Sequence, residues 1–191
     1  MPRFKEFDVN EALDAALQVF WKKGYEATSI QDLVDATRVN RASLYEAFGS
    51  KRKLFDKALD RFATGDNNLE RATASIEPGL RRIRAAFDLA IAQSVSDVRG
   101  CMVVNAIVER AAEERKMRTL GRKARTGIEA FFTRSLEEAR IRGQIREGHD
   151  IAALAAFLTN ALFGLRVTAK TLPDPESIRA IVQTTLSVIE N

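Results

Sequence analysis

Hydrophobic residues recur along this chain at the three-to-four-residue spacing of an amphipathic helix. The clearest stripes lie near the two ends and contain Val9, Ala12, Leu13, Ala16, Leu17 and Phe20, and Ile178, Ile181, Val182, Leu186 and Ile189. Alternating runs of β-branched residues and Asn-Gly or Asp-Gly hairpin turns are absent from the sequence. The pattern therefore predicts an all-α protein of about nine helices.

Capping residues divide the first third of the chain into four short helices. Gly24 follows two lysines and is a typical stop for the first helix. Either Thr28 or Ser29 can be the N-cap of a second helix, with Gln31 or Asp32 three residues later as in a capping box. Asn40 and Ser50 are the predicted N-caps of the third and fourth helices.

A polar segment from residue 65 to residue 77 interrupts the helical pattern, and longer helices follow it. We expect two domains, residues 1–64 and residues 65–191. Within the second, the stretch Arg110–Arg125 has seven cations and two carboxylates. This stretch is interpreted as a solvated connection between helices, although it could also supply distant phosphate contacts.

The longest apolar stretch, Ile151–Val167, is interrupted by Asn160 and Arg166 and is shorter than the roughly 20 residues that cross a bilayer. No membrane partner is therefore expected. Its apolar residues occupy nearly the whole circumference of the helix, which has to be covered on several sides. A second copy of the chain is the economical cover, so the pattern favours a homodimer.

The chain has one histidine, His149, and one cysteine, Cys101. A zinc site of the Cys/His type needs three or four ligands, and a disulfide framework needs paired cysteines. Neither can form within one chain, and neither a metal nor a cofactor is expected. The first ten residues contain no apolar block of a signal peptide, so we expect a cytoplasmic protein.

Two short helices separated by about three residues, at Thr28–Phe48, have the arrangement of a helix-turn-helix, whose second helix can enter the major groove of DNA. From Arg38 to Lys53 there are five cations and only one carboxylate, Glu46. Such a concentration of positive charge is typical of a phosphate-binding surface. The alternative for the charge run is a solvated helix face.

The segment FWKKGYEATSIQDLVDATRVNRASLYEAFGSKRKLF, residues 20–55, resembles the N-terminal domain of the tetracycline-repressor (TetR) family of bacterial regulators. The similarity extends over about Val9–Phe62, without a gap. It implies an N-terminal three-helix helix-turn-helix domain joined to a helical ligand-binding and dimerisation domain. It also implies a homodimer that binds a palindromic double-stranded DNA operator and is released by a small-molecule or electrophile signal, with repression as the family default.

The resemblance also implies which residues contact DNA. Two of the residues concerned depart from the family pattern: Arg38 stands where a glycine is common, and Ala47 stands where many relatives have a phosphate-contacting histidine. A left-handed backbone at Arg38 would cost about 1–2 kcal/mol. The predicted groove-facing residues are Arg41, Ala42, Ser43 and Tyr45, the predicted phosphate contacts are Ser29, Tyr45 and Lys51, and Arg38 and Asn40 complete the set.

In the second domain, polar and aromatic residues at helical spacing are candidates for an effector pocket. Plain core is the alternative for each of them, because aromatic and methionine side chains at that spacing are the ordinary contents of a bundle. The candidates are Phe87, Ile91, Met102, Asn105, Phe131, Phe132 and Asn160.

The segments Gly100–Asn105 and Gly164–Arg166, with Lys170, resemble a TetR branch that includes repressors responding to thiol-reactive electrophiles. Cys101 is then either a sensor thiol, with Lys170 as the cation that stabilises its thiolate, or a small buried hydrophobe. Outside the regulators, an all-helical enzyme or a protein-binding adaptor remains the alternative. One His, one Cys and the absence of a glycine-rich phosphate loop weigh against the enzyme.

Overall fold

The computed structural model describes residues 7–65, 69–96, 99–171 and 174–190, and the side chains of residues 94–96 lie outside the description. These ranges contain ten helices and no strand, so the predicted all-α class is confirmed. One of the ten, α5, is a single turn, and the other nine match the predicted number. The helices are α1 Val9–Lys23, α2 Ile30–Thr37, α3 Arg41–Phe48, α4 Lys51–Thr64, α5 Leu69–Ala72, α6 Leu80–Ser96, α7 Met102–Arg110, α8 Arg115–Ile141, α9 Ile151–Thr168 and α10 Pro175–Ser187.

The chain divides into two compact units, Met1–Asn67 and Asn68–Asn191. In the first unit, α1 packs against α2 and α4, and α3 packs against α2 and α4. Phe20 and Phe55 form the centre of this unit, with their ring centroids 5.0 Å apart in an edge-on arrangement. Leu33 from α2 and Leu44 and Phe48 from α3 are also buried.

The predicted N-caps of the first unit are confirmed, and of the two candidates for α2 the cap is Ser29, since the Thr28 hydroxyl donates to the carbonyl of Gly24. The side chain of Ser29 accepts a hydrogen bond from the backbone N–H of Asp32, and that of Asn40 accepts one from Ser43. The side chain of Ser50 accepts one from Lys53. Each cap satisfies an N–H group that the helix itself leaves free. The helix boundaries are therefore set by residues visible in the sequence.

The second unit is a bundle in which α8 packs along α9, and α6 contacts α8, α9 and α10. Its hydrophobic core is continuous. Phe132, Leu136, Leu158 and Leu162 are fully buried within it. The short helix α5 lies on the segment that was expected to be polar and irregular, and it is held by the buried side chain of Leu69.

The prediction of a solvated connection at Arg110–Arg125 is wrong beyond its first few residues, because α8 begins at Arg115 and continues to Ile141. Tertiary contacts stabilise this part of the helix. Met117 is fully buried, and a Cβ at Gly121 would lie 3.5 Å from the side chain of Ile107. The many charges therefore line the outer side of a helix rather than a loop.

The apolar helix α9 ends at Thr168, and its predicted terminators, Leu172 and Pro173, lie outside the described residues. By length and composition alone α9 is the one described helix that could cross a membrane, but only 33% of its residues are buried. Leu154, Leu158 and Leu162 face the core of the bundle. The rest of α9 presents an apolar surface that the single chain leaves uncovered.

Candidate nucleic-acid interface

A three-residue turn, Arg38–Asn40, joins α2 to α3. Arg38 is the C-cap of α2 and has a left-handed backbone with φ 57°, the only positive φ of a non-glycine residue in the described ranges. Its N–H donates to the carbonyl of Val34 at 2.9 Å. Val39 is buried, and Asn40 caps α3. Arg38 therefore has the left-handed backbone for which glycine is common at this position in the family.

Replacing Arg38 by glycine is expected to raise the free energy of unfolding by about 0.5–1 kcal/mol. Glycine removes the left-handed penalty of about 1–2 kcal/mol, and the entropy of its more flexible unfolded chain offsets part of the gain. Ala36→Gly, in the exposed helix just before the turn, is the matched control and should cost about 1 kcal/mol. Urea denaturation of both variants measures the difference. An equal loss of stability in both would show that the left-handed backbone at Arg38 carries no strain.

The exposed side of α3 carries Arg41, Ala42 and Glu46, while Tyr45 is half-buried. The guanidinium of Arg41 lies over the ring of Tyr45, 5.4 Å from its centroid. Leu44 and Phe48 face inward, as their i,i+4 spacing predicts. A helix with small and polar residues on its outer first turn is narrow enough for the major groove.

Ser43 is an exception among the predicted groove-facing residues. It is buried, with 8% of its surface exposed, and its backbone N–H donates to the side chain of Asn40 at 3.0 Å. The buried face of α3 consists of Ser43, Leu44 and Phe48, and is therefore wider than the pair Leu44 and Phe48 alone predicts. The structure therefore corrects the prediction that the Ser43 side chain is presented to a groove.

Ser29 lies at the first turn of α2 in a complete capping box, because the backbone N–H of Ser29 also donates to the Asp32 carboxylate at 2.9 Å. Lys23 Nζ contacts the same carboxylate at 2.6 Å. The hydrogen bond from Lys23, followed by those from the Ser29 backbone and hydroxyl, lowers the pKa of Asp32 from 3.8 to about 2. The box thus keeps its charge, and Ser29 its orientation, at any ordinary pH.

Lys51 begins α4, where its own position in the first turn adds the positive end of the helix dipole to its charge. Its ammonium lies over the ring of Tyr25, 4.4 Å from the centroid. Tyr25 in turn contacts Phe55, at 4.9 Å between centroids. Tyr25 was not among the predicted site residues. Only the tertiary structure shows that it is the platform under the cation.

The elements bring three of the predicted residues to one surface cleft. Arg41 and Tyr45 of α3 line it together with Lys51 of α4 and Ile30 of α2. Ser50, the N-cap of α4, lies on the same cleft. Arg41 and Lys51 thus stand together beside the exposed side of α3. This arrangement can present base-reading and phosphate-binding groups together.

Among the effector candidates, three aromatic residues meet inside the second unit. Phe132 stacks with Phe87 at 5.9 Å and contacts Phe131 edge-on at 5.3 Å. All three are buried in the core, as is Ile91. Their contacts are those of a packed core, and an effector pocket at this place stays a prediction.

The polar candidates divide into two places. Asn160 is exposed on the outer side of α9, so it lines no interior cavity of a single chain. Asn105, half-buried on α7, accepts a hydrogen bond from Lys170 Nζ at 3.1 Å. Cys101 is the half-buried N-cap of α7, preceding the buried Met102, and its side chain makes no capping bond. The hydrogen bond between Lys170 and Asn105 shows that the segments Gly100–Asn105 and Gly164–Lys170 meet.

Two family profiles match the chain. Residues 12–58 match the N-terminal domain of bacterial regulatory proteins of the tetR family, and residues 79–185 match a tetracyclin repressor-like C-terminal domain. The second match alone spans more than half of the 191 residues. The chain belongs to the TetR family of bacterial regulators. It is a helix-turn-helix transcriptional regulator and not an enzyme.

Relatives and solved structures agree over the whole length. The HTH-type transcriptional regulator YezE of Bacillus subtilis is 31% identical over 195 residues and covers 100% of both chains. The repressor ComR of Escherichia coli is 31% identical over 189 residues, covering 96% of this chain and 90% of ComR. A cysteine mutant of the TetR-family regulator CifR, solved with a 26-base-pair operator, is 31% identical with a TM-score of 0.85, covering 97% of this chain and 98% of that one.

Proposed function

We propose that two copies of this chain bind a roughly palindromic operator in bacterial cytoplasm and repress transcription until an effector binds the second unit. The observation that carries the proposal is the cation-lined surface of α3 and α4 on a chain of the TetR family. The operator complex of CifR, at 31% identity, supports it. The domain division is proposed at residue 64, with DNA contacts before it and effector and dimer contacts after it.

In this proposal α3 enters the major groove with the side chains of Arg41, Ala42 and Tyr45 toward base edges. The exposed first turn supplies these contacts without steric obstruction. Ser29 and Lys51, at the N-terminal turns of α2 and α4, bind phosphates on either side. The exposed Arg38 adds charge at the turn. Arg can bind guanine in a bidentate manner, which makes Arg41 the principal specificity residue.

Dimerisation uses the α9–α10 face, which we define by its exposed residues: Ala153, Phe157, Asn160, Gly164 and Val167 of α9, and Ile181, Thr184 and Val188 of α10. They recur at three-to-four-residue spacing on two helices that pack together. An apolar surface of this kind on a bundle indicates an interaction site. Two copies joined there present two recognition helices, so the half-sites are about one turn (~34–36 Å), or a multiple of it, apart.

The proposal is tested by measuring the affinity for operator-length duplex DNA against salt concentration. Lys51→Ala removes one phosphate contact and is expected to lower the slope of log affinity against log salt by about 1. Tyr45→Ala is expected to weaken binding by roughly 10-fold or more, at the scale of about 1–3 kcal/mol for a base or stacking contact. Both variants should keep the helical content of the parent chain.

Lys22→Ala is the matched control, since Lys22 is exposed at the far end of α1 and loses the same charge outside the cleft. Its salt slope and affinity should equal those of the parent. A parent chain whose affinity for duplex DNA does not depend on salt concentration would refute the proposed binding of the DNA backbone. Lys51→Ala and Tyr45→Ala variants that bind as tightly as the parent chain would show that the surface of α3 and α4 does not make the DNA contacts.

A further inference from the structure

Arg166 is the one charged side chain among the buried residues that the structure describes, with 8% of its surface exposed. It lies in the last turn of α9. Its Nη2 donates to Oε1 of Gln93 on α6 at 3.3 Å, at the long end of the hydrogen-bond range. No carboxylate of the described chain pairs with it. Within the residues that the structure describes, this guanidinium with its five donors therefore has one partner, and that partner is neutral.

Buried arginine is rare unless an anion accompanies it, because removing the charge from water is costly. The carbonyl end of α9 supplies part of the compensation, since a helix C-terminus carries about half a negative charge. Gln93 supplies a dipole but no charge. No nitrogen of Arg166 is both fully buried and unpaired, so the donors that Gln93 does not use reach the surface, where a planar carboxylate is the acceptor that a guanidinium prefers.

A second cation stands beside the same turn of α9. Lys170 lies one turn after Arg166, and its stem crosses Gly100, where a Cβ would come within 3.1 Å of Lys170 Cγ and Cδ and 3.4 Å of the Arg166 carbonyl. The Lys170 ammonium donates to Asn105 of α7 at 3.1 Å, again to a neutral acceptor. The two positively charged side chains, Arg166 and Lys170, thus donate hydrogen bonds to two neutral amide side chains.

The helical segment that carries Arg166 is otherwise apolar. Leu162, Leu165 and Ala169, which flank Arg166 on α9, are buried in the core of the bundle. Met102, at the start of α7, is also buried. A ligand that fits this place combines an anionic group with a hydrophobic body. The planar guanidinium can hold a carboxylate through two parallel hydrogen bonds, and the apolar segment favours a carboxylate with a hydrophobic body over inorganic phosphate.

We propose that Arg166 and Lys170 form the anion-binding end of the effector site and that the effector is a carboxylic acid with an apolar body. This assignment rests on the proposed ligand-responsive function and names the chemical class of its ligand. The carboxylate replaces Gln93 and Asn105 as acceptor for the two cations. Because those amides belong to α6 and α7, the exchange breaks the two hydrogen bonds that tie the C-terminal end of α9 to these helices, while the hydrophobic packing of α9 remains. The ligand then has a differential affinity for the states with and without these bonds.

The test is a thermal-unfolding titration of the full chain with sodium acetate, benzoate, octanoate and phosphate at constant ionic strength, with sodium chloride as reference and benzamide as the neutral analogue of benzoate. Benzoate or octanoate is expected to raise Tm, and benzamide and chloride are not. Arg166→Met and Lys170→Met should each raise the carboxylate Kd by about 10- to 100-fold, as expected for hydrogen bonds to a charged group. Arg146→Met, at an exposed loop position, should leave it unchanged.

Arg166→Met also has an expected effect without ligand, namely an unchanged or higher Tm, since it removes a buried charge that has no counter-charge. If this variant fails to fold, Arg166→Lys keeps the charge but lacks the planar fork, and it should still weaken benzoate binding. The proposal is overturned if no carboxylate raises Tm above the chloride reference, if the Arg166 variants bind as the parent does, or if phosphate binds more tightly than every carboxylate. Operator binding is measured separately. A parent chain that binds carboxylates but not duplex DNA would contradict the proposed function while supporting the anion site.

Discussion

Replacing Phe157 by glutamate is expected to convert the dimer to a monomer and to lower operator affinity by at least about 100-fold, since joining two binding modules raises affinity by about 10²–10⁴. Phe157 is 40% exposed on the α9–α10 face, where a partner would cover it. A glutamate there would have to be buried without a counter-charge when two copies meet. Sedimentation velocity and duplex-binding titrations on the same sample measure the two effects.

Ile141→Glu is the matched control, because Ile141 is an even more exposed hydrophobic residue that lies outside this face, at the end of α8. It should remain dimeric and bind operator as the parent does. A Phe157→Glu chain that sediments as a dimer, or one that binds operator with parental affinity, would show that the α9–α10 face is not the dimer interface. An identical loss in both variants would point to general destabilisation instead.

Replacing Phe55 by alanine is expected to reduce the free energy of unfolding of the first unit by about 3–5 kcal/mol. Phe55 is 1% exposed and contacts the rings of Phe20 and Tyr25, so its removal leaves a cavity between α1 and α4. The Tyr25 ring that underlies Lys51 loses its support at the same time. Operator affinity should therefore fall even under conditions in which the variant is still folded.

Chemical denaturation followed by circular dichroism measures the loss of stability. Val9→Ala, at an exposed position of the same unit, should change the free energy of unfolding by less than about 0.5 kcal/mol. A loss below about 1 kcal/mol in Phe55→Ala would mean that the aromatic cluster is not the centre of the unit. It would also weaken the argument that Tyr25 positions Lys51.

The helices of the first unit could be predicted because their boundaries are encoded locally. The side chains of Ser29, Asn40 and Ser50 each accept a hydrogen bond from the backbone N–H of the residue three positions later. These bonds require only the neighbouring sequence. The turn at Arg38 followed from the same spacing. Local capping is thus sufficient to place the helix-turn-helix and most of its exposed side chains.

The second unit was harder to predict, because distant contacts hold its helices. The first half of α8 has many charges and two glycines, and sequence alone favours a loop there. Met117 is instead buried, and Gly121 packs close to Ile107 of α7. These contacts stabilise a helix at this place. The burial of Ser43, the exposure of Asn160 and the platform role of Tyr25 likewise depend on residues far away in the chain.

The pairing of Arg166 with Gln93 joins residues 73 positions apart, and that of Lys170 with Asn105 joins residues 65 positions apart. No local signal predicts such pairs. The sequence shows an arginine in an apolar helix, which is compatible with an exposed position. Only the burial of Arg166 beside a neutral partner turns it into a candidate anion site.

In the proposed complex, two copies of the chain insert α3 into one duplex at half-sites one helical turn, or a multiple of it, apart. The most direct measurement is selection of bound duplexes from a random-sequence pool by the purified full chain, followed by sequencing. We expect enrichment of an inverted repeat whose half-sites lie about 10 base pairs, or a multiple of that, apart, and loss of the enrichment with Arg41→Ala. A pool with no enriched sequence, or one enriched in a motif without two-fold symmetry, would contradict the claim.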